Sequence, residues 1–199
     1  MSVTAITRLG RMGRWEPGAR GRLMRAALEL FTEDGFEQTT VSGIAERAGV
    51  TERTFFRHFT DKREVLFDGS NGLRERVTDA IASTPGTLAP LPTVVAAFEV
   101  ATPWLEERRE FAGRRAAAIA ANTSLQEREL LKLASLASAC TDALRKRGVA
   151  DPTAMLAAET GVALFKIAFE RWVAAGATGD LALHIREAAA ELRTLVAEA

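Results

Sequence analysis

Apolar side chains recur along this chain at helical rather than strand spacing. Leu23, Ala26, Ala27, Leu30 and Phe31 follow i, i+3, i+4, i+7 and i+8, which predicts an amphipathic helix over 19–34 that Gly35 ends and Phe36 packs back upon. Val41, Ile44, Ala45 and Ala48 repeat the pattern over two turns, with Thr40 as N-cap and Gly49 as the left-handed stop. A third short pattern follows, capped by Thr51, with Phe55 and Phe59 on its inner side and Glu52, Arg53, Thr54, Arg57 and His58 nearer solvent. Two short helices joined by a glycine-containing turn, apolar inside and polar outside, describe a helix-turn-helix. A plain helical hairpin explains the apolar spacing equally well. It gives no reason for the second helix to carry side chains suited to base edges and phosphates.

Helical periodicity continues to the end of the chain. Val65, Leu66, Leu73, Val77 and Ile81 mark a fourth helix, with Gly69 and Gly72 inside it; each glycine costs about 1 kcal/mol of propensity, so a bend near Asn71 is expected. Ser83 to Pro92 reads as a proline-rich loop. The pattern resumes near Thr93 with Val94, Val95, Phe98 and Ala101, and Pro103 is expected to kink or restart that helix. An arginine-rich segment over 105–121 follows, with Arg108, Arg109, Arg114 and Arg115. Ser124 with Glu127 suggests a capping box for the next helix, which Gly148 ends. Asp151-Pro152 reads as N-cap and first-turn proline for a helix to Ala175 that is apolar nearly all round. Gly176 and Gly179 end it, and Asp180 caps a last helix striped by Leu181, Ile185, Ala188, Leu192 and Leu195. One face of the helix over 155–175 fills a monomer core. Its apolar excess asks for a partner.

Composition narrows the function without naming it. The 199 residues carry 26 basic and 26 acidic side chains, so the total charge advertises no polyanion. Its distribution does: Arg8, Arg11, Arg14, Arg20, Arg22 and Arg25 face only Glu16 over the first 25 residues. Residues 1–18, broken by Gly10, Gly13, Pro17 and Gly18, read as a flexible basic arm, which either contacts DNA or stays a solvated tail. One cysteine, Cys140, excludes an internal disulfide, and with two distant histidines it assembles no metal site. No cofactor motif, nucleophile elbow, phosphate-binding glycine loop or paired-histidine motif is present, so an enzyme is not expected. Cys140 lies on an apolar helical face and reads as an inert buried thiol. No uninterrupted apolar run suggests a membrane span or signal peptide, and the cytoplasm is the expected compartment.

The run LMRAALELFTEDGFEQTTVSGIAERAGVTERTFFRHFTDKREVLF resembles the DNA-binding domain of the TetR family of bacterial transcriptional regulators nearly from end to end. The resemblance covers roughly Arg20 to Asp68; beyond it the chain is similar to the family only in helical layout. It implies an all-α protein of about nine helices: a three-helix helix-turn-helix domain over 19–68 and a helical bundle over 69–199 for ligand binding and dimerisation. It further implies a homodimer through the last two helices, a palindromic double-stranded DNA operator and a small-molecule effector. The family's DNA contacts fall on Thr40, Thr51, Glu52, Arg53, Thr54, Phe56, Arg57, His58 and Lys62. Of these, Arg53 suits a guanine edge, Thr54 a base or thymine methyl, and Glu52 either a cytosine or the orientation of Arg53. Thr40, His58 and Lys62 suit phosphates. The chain departs from the family pattern at Phe56, where a tyrosine hydroxyl is usual, and at Gly43, where an acid is common.

The aromatic and sulfur side chains Phe98, Trp104, Phe111, Met155, Phe165, Phe169 and Trp172 are the candidates to line an effector pocket, although each fits a plain core as well. An amphipathic anion such as a fatty acyl thioester could add Arg108, Arg109, Arg114 or Arg115. The sequence therefore predicts a ligand-responsive dimeric repressor. The alternative is a helical small-molecule binding protein or sensor that no longer binds DNA specifically.

Overall fold

A computed structural model describes residues 18–197, and every regular element within them is an α-helix. In order these are α1 (Ala19–Glu33), α2 (Val41–Arg47), α3 (Glu52–His58), α4 (Glu64–Phe67), α5 (Gly69–Ser83), α6 (Pro90–Glu106), α7 (Arg109–Ala120), α8 (Thr123–Lys146), α9 (Asp151–Ala174) and α10 (Leu181–Ala197). Helices α4 and α5 adjoin at Asp68, whose φ of −57° and ψ of −39° are themselves helical. Counted as one jointed helix they make nine among the described residues, the number expected. The proposed arm lies outside the described residues but for Gly18, the extended N-cap of α1.

The first core forms where α1 crosses the two short helices. Leu23, Ala27, Ile44 and Phe55 are fully buried there, and Phe36 folds back to within 5.1 Å of the Phe31 ring. Burial of these side chains, each contributing roughly 1.5–3 kcal/mol if aliphatic or aromatic, orders helices that are too short to stand alone in water. This core does not stop at residue 68. Ile119 from α7 and Leu125 from α8 belong to it, so the head is completed by side chains from the second half of the chain.

The second core belongs to α5, α6, α8, α9 and α10. Helix α9 lies at its centre, packed on α6, α8 and α10, and buries Ala154, Ala157, Ala158, Gly161, Val162 and Phe165 among others. Small residues set the approach of α6: a Cβ at position 161 would lie 2.4 Å from Val94 Cγ1. By length and composition α9 could cross a membrane, which the sequence did not suggest, but 44% of its apolar window is buried within the fold. Cys140 is fully buried in this core, and burial pushes its thiol up to about 12.

Four local expectations are corrected. Helix α6 does not restart at Pro103 but continues through it, where the Thr102 hydroxyl donates at 2.9 Å to the Glu99 carbonyl that proline leaves without an amide donor. The N-cap of α8 is Asn122 rather than Ser124; its side-chain oxygen accepts from the Leu125 amide at 3.1 Å. Ala150 caps α9 and Asp151 stands inside its first turn, bound to Arg145. The joint between α4 and α5 falls at Asp68 instead of Asn71, and Gly69 and Gly72 form a notch beside it.

Candidate functional site

Helix α3 is held by groups that leave its outer face free. Thr51 Oγ1 accepts from the Thr54 amide at 3.2 Å and shares a hydrogen bond with the Thr54 hydroxyl at 3.1 Å. Gly49 takes φ +65°, and the Val50 amide donates to the Ala45 carbonyl at 2.9 Å, closing the turn in the glycine-dependent manner expected. Arg22 Nε donates at 3.0 Å to the Ala48 carbonyl, so this arginine braces the turn from α1. Arg47 ties α2 to α1 through Glu33, at 2.9 Å, and Glu29. With Phe55 and Phe59 buried beneath, α3 presents Glu52, Arg53, Phe56 and Arg57 to solvent. Neither Arg53 nor Arg57 has an ion-pair partner among the described residues.

Thr40 Oγ1 accepts from the Gly43 amide at 3.0 Å, so a glycine at 43 does not abolish the cap, and the hydroxyl keeps its proton to donate. Phe56 is 55% exposed and stands edge-on to Phe55. Two of the expected contacts sit otherwise than on an open surface. His58 Nε2 is buried without a hydrogen-bond partner, so that atom does not face a phosphate. Lys62 Nζ donates to the carbonyls of Phe36, Thr39 and Glu37 at 2.8, 3.1 and 3.3 Å and lies 4.3 Å from the Phe36 ring centroid. An ammonium has three protons, and here all three hold the loop between α1 and α2. A phosphate would have to displace one of them.

Behind the head, a cavity of about 340 Å³ opens where α1, α4, α5, α6, α7, α8 and α9 meet. Trp104, Phe111, Phe165 and Phe169, four of the effector-pocket candidates, line it. The other three candidates do not. Phe98 stacks on Phe165 at 4.5 Å inside the core, and Trp172 is fully buried against Phe169. Met155 is 55% exposed on the outer face of α9, which its all-round apolar pattern could not distinguish from an inner one. Arg108 and Arg115 reach this cavity while Arg109 and Arg114 do not. A shallower groove of about 660 Å³ between α7, α8 and α9 shares Phe165, Phe169, Leu133, Arg115 and Glu129 with it.

The sequence missed two arrangements here. At the end of α4, Arg115 Nε donates at 2.7 Å to the Leu66 carbonyl, while its guanidinium binds Glu129 at 2.5 and 3.2 Å and covers the Phe67 ring. Glu64 of the same short helix accepts from Arg128 at 2.5 Å and Lys132 at 3.1 Å. The head is thereby tied to α7 and α8 by charge-assisted bonds, the stronger kind. In the cavity wall, Gly72 and Gly69 admit the Trp104 indole: a Cβ at 72 would lie 3.1 Å from its Cζ2. Arg76 and Arg108 then lie 4.9 and 4.6 Å from the same indole. Burial first, and the nearby Arg76 guanidinium, push Arg108 down from the ordinary arginine value against the pull of Glu107. Gly69, Gly72 and Arg76 share one helix face at i, i+3 and i+7, the signal that could have revealed this corner.

Residues 23–68 match the family described as bacterial regulatory proteins, tetR family. This segment belongs to the TetR family. The match lies on α1 to α4, the elements that carry the exposed face of α3. TcmR of Streptomyces glaucescens, an HTH-type transcriptional regulator, is 43% identical over 79 residues, 40% of this chain. The chain spans 35% of that relative's length. Two solved structures share the fold over most of the chain. FadR from Bacillus subtilis, in complex with stearoyl-CoA, superposes with a TM-score of 0.58 at 18% identity, covering 84% of this chain and 94% of its own. SmeT in its triclosan complex superposes with a TM-score of 0.61 at 20% identity, covering 87% and 90%; SmeT is the repressor of a Stenotrophomonas maltophilia multidrug efflux pump. The likeness in fold therefore extends beyond the matched head into the helical body.

Proposed function

We propose that this TetR-family chain is a ligand-responsive transcriptional repressor that binds a palindromic operator as a homodimer. The observation that carries the reading is the outer face of α3, where Arg53 and Arg57 stand exposed and unpaired on a helix capped at Thr51 and seated by Phe55. Arg53 reads a guanine edge, Thr54 and Glu52 contact neighbouring bases, and Thr40, Thr51 and Arg57 set register on phosphates. Lys62 acts mainly by shaping the loop that presents Thr40. The head over 19–68 performs recognition and the body over 69–199 binds effector and partner.

Dimerisation through α9 and α10 is supported by apolar side chains that the described residues leave uncovered. Leu156 is 69% exposed on α9, and Leu195 and Val196 are each 67% exposed on α10. Two-fold pairing of these helices buries them and places the two α3 helices for half-sites about 34–36 Å apart, or a multiple. The effector occupies the cavity behind the head. FadR with stearoyl-CoA and SmeT with triclosan bind molecules with large apolar bodies, and the cavity here has a lining suited to one. A DNA partner places the protein in the cytoplasm.

A second reading rests on Phe56. Without a hydroxyl it makes no phosphate hydrogen bond, which favours a sensor bundle that has lost specific DNA affinity. Selection of bound duplexes from a random-sequence pool, at near-physiological salt, separates the two. A palindrome emerging from the pool is the expected result. Binding that is weak, salt-sensitive and blind to sequence would overturn the repressor in favour of the sensor.

A further inference from the structure

Most of the charges that line the cavity are accounted for within the protein. Arg115 binds Glu129, Lys132 binds Glu64, and Asp68 binds Arg20. Arg76 and Arg108 are the exceptions. Arg76 donates to the Gly72 carbonyl at 3.1 Å and has no carboxylate partner among the described residues. Arg108 donates to the Trp104 carbonyl at 2.9 Å, and the one acid near it, Glu107, is 3.6 Å away with its side chain 74% exposed. Two like charges therefore converge on a single indole in the wall of a cavity whose other charges are paired. One of them, Arg108, is only 28% exposed. The indole face stabilises each guanidinium by about 0.5–2 kcal/mol, but it neutralises neither.

We propose that the Arg76–Trp104–Arg108 corner is an anion seat, and that the effector is an amphiphile carrying one carboxylate or phosphate group on an apolar body. The proposal rests on the cavity being the effector site. The planar guanidinium forks match either oxyanion in two-point geometry, and the anion replaces the repulsion between the two arginines with attraction to both. The apolar body lies inward, against Phe111, Phe165, Phe169 and Leu133. Because Phe169 and Leu133 also line the groove between α7 and α9, a longer body has a continuous apolar path past them. Gly69 and Gly72 are part of the site, since they set the depth of the indole on which both arginines rest.

Isothermal titration calorimetry of the full chain against dodecanoate, dodecyl phosphate and 1-dodecanol tests this. At least one of the two anions is expected to bind at least tenfold more tightly than the alcohol, and which of them binds better names the oxyanion. Arg76→Gln and Arg108→Gln are each expected to weaken the anion by about 10- to 100-fold, the range for hydrogen bonds to charged groups, while changing the alcohol less than about twofold. Arg108→Lys, which keeps the charge but not the fork, falls between. Arg109→Gln, outside the cavity, leaves all three affinities unchanged. A thermal melt of each variant shows whether its fold is intact. Equal affinity for alcohol and anions in the wild type, equal losses of both in the Arg variants, or no binding of any of the three overturns the anion seat. None of these outcomes bears on the duplex selection, so the DNA reading stands or falls separately.

Discussion

The outer face of α3 and the Trp104 corner of the cavity both present arginines that no buried carboxylate neutralises, yet the two regions treat them differently. On α3, Arg53 and Arg57 are exposed on one seven-residue helix, where water stabilises the charge at little cost and a polyanion can approach unhindered. At the cavity corner, Arg76 and Arg108 come from α5 and the turn between α6 and α7, and they meet on an indole where water is partly excluded. Between these regions lies a third arrangement, in which Arg115 and Arg128 are fully engaged by Glu129 and Glu64. Identical side chains thus stand in three settings, the proposed reader, the proposed seat and the clamp, and what distinguishes them is which acids the fold brings within reach.

The comparison breaks most completely if α3 loses its seat. Phe55→Ala removes a fully buried ring from the head and is expected to cost about 3–5 kcal/mol, measured as a drop in the urea midpoint; an unchanged midpoint would mean that the α7 and α8 side chains hold the head by themselves. Next comes the clamp. Arg115→Ala leaves the Leu66 carbonyl and the Glu129 carboxylate without their partner and is expected to cost about 1–3 kcal/mol. If the urea transition of that variant stays single and unshifted, the tie between α4 and α8 contributes nothing.

The reader comes next in size, because its loss falls on one base pair. Arg53→Ala is expected to lose about 1–3 kcal/mol concentrated at a single operator position. An equal loss at every position and on unrelated DNA would show that Arg53 contacts backbone only. Lys62→Met separates shaping from phosphate binding. The variant is expected to lower thermal stability while leaving the salt slope of DNA binding nearly unchanged; a slope lower by about one with unchanged stability would assign Lys62 to a phosphate instead.

The smallest effect concerns Cys140. Its thiol is held neutral in the fold up to about 12, above the unfolded value, so the unfolded chain releases its proton first as pH rises. Stability is therefore expected to fall between about pH 9 and 12, and Cys140→Ala should remove that part of the slope. Rapid labelling of the native thiol at pH 8 would contradict the burial.

Much of the head was legible in the sequence because its determinants are local. Thr40, Gly49 and Thr51 act within a few residues of themselves, and i, i+4 spacing already placed Phe55 and Phe59 inside. The carbonyl partners of Lys62 were not legible, because they lie 23 to 26 residues earlier. The pocket was half legible: Trp104, Phe111, Phe165 and Phe169 were placed in it, while Phe98, Met155 and Trp172 were not distinguished from them. On a helix that is apolar all round, periodicity does not say which side meets a cavity, which meets core and which is left uncovered. Pro103 and Ser124 misled for a related reason. A neighbouring hydroxyl and a better-placed Asn122 supplied the hydrogen bonds that the simpler pattern assigned elsewhere.

By itself the sequence determined that the chain is helical, where most of its helices end, and that one of them carries an exposed set of polar groups suited to DNA. These depend on backbone propensity, capping and periodicity, which act over a few residues. Only the tertiary structure decided that Ile119 and Leu125 complete the head, that Arg115 clamps the end of α4, and that Arg76 and Arg108 share one indole. Those outcomes depend on which helices meet, and Coulomb and packing forces act between whatever side chains the fold has brought within a few ångströms of one another.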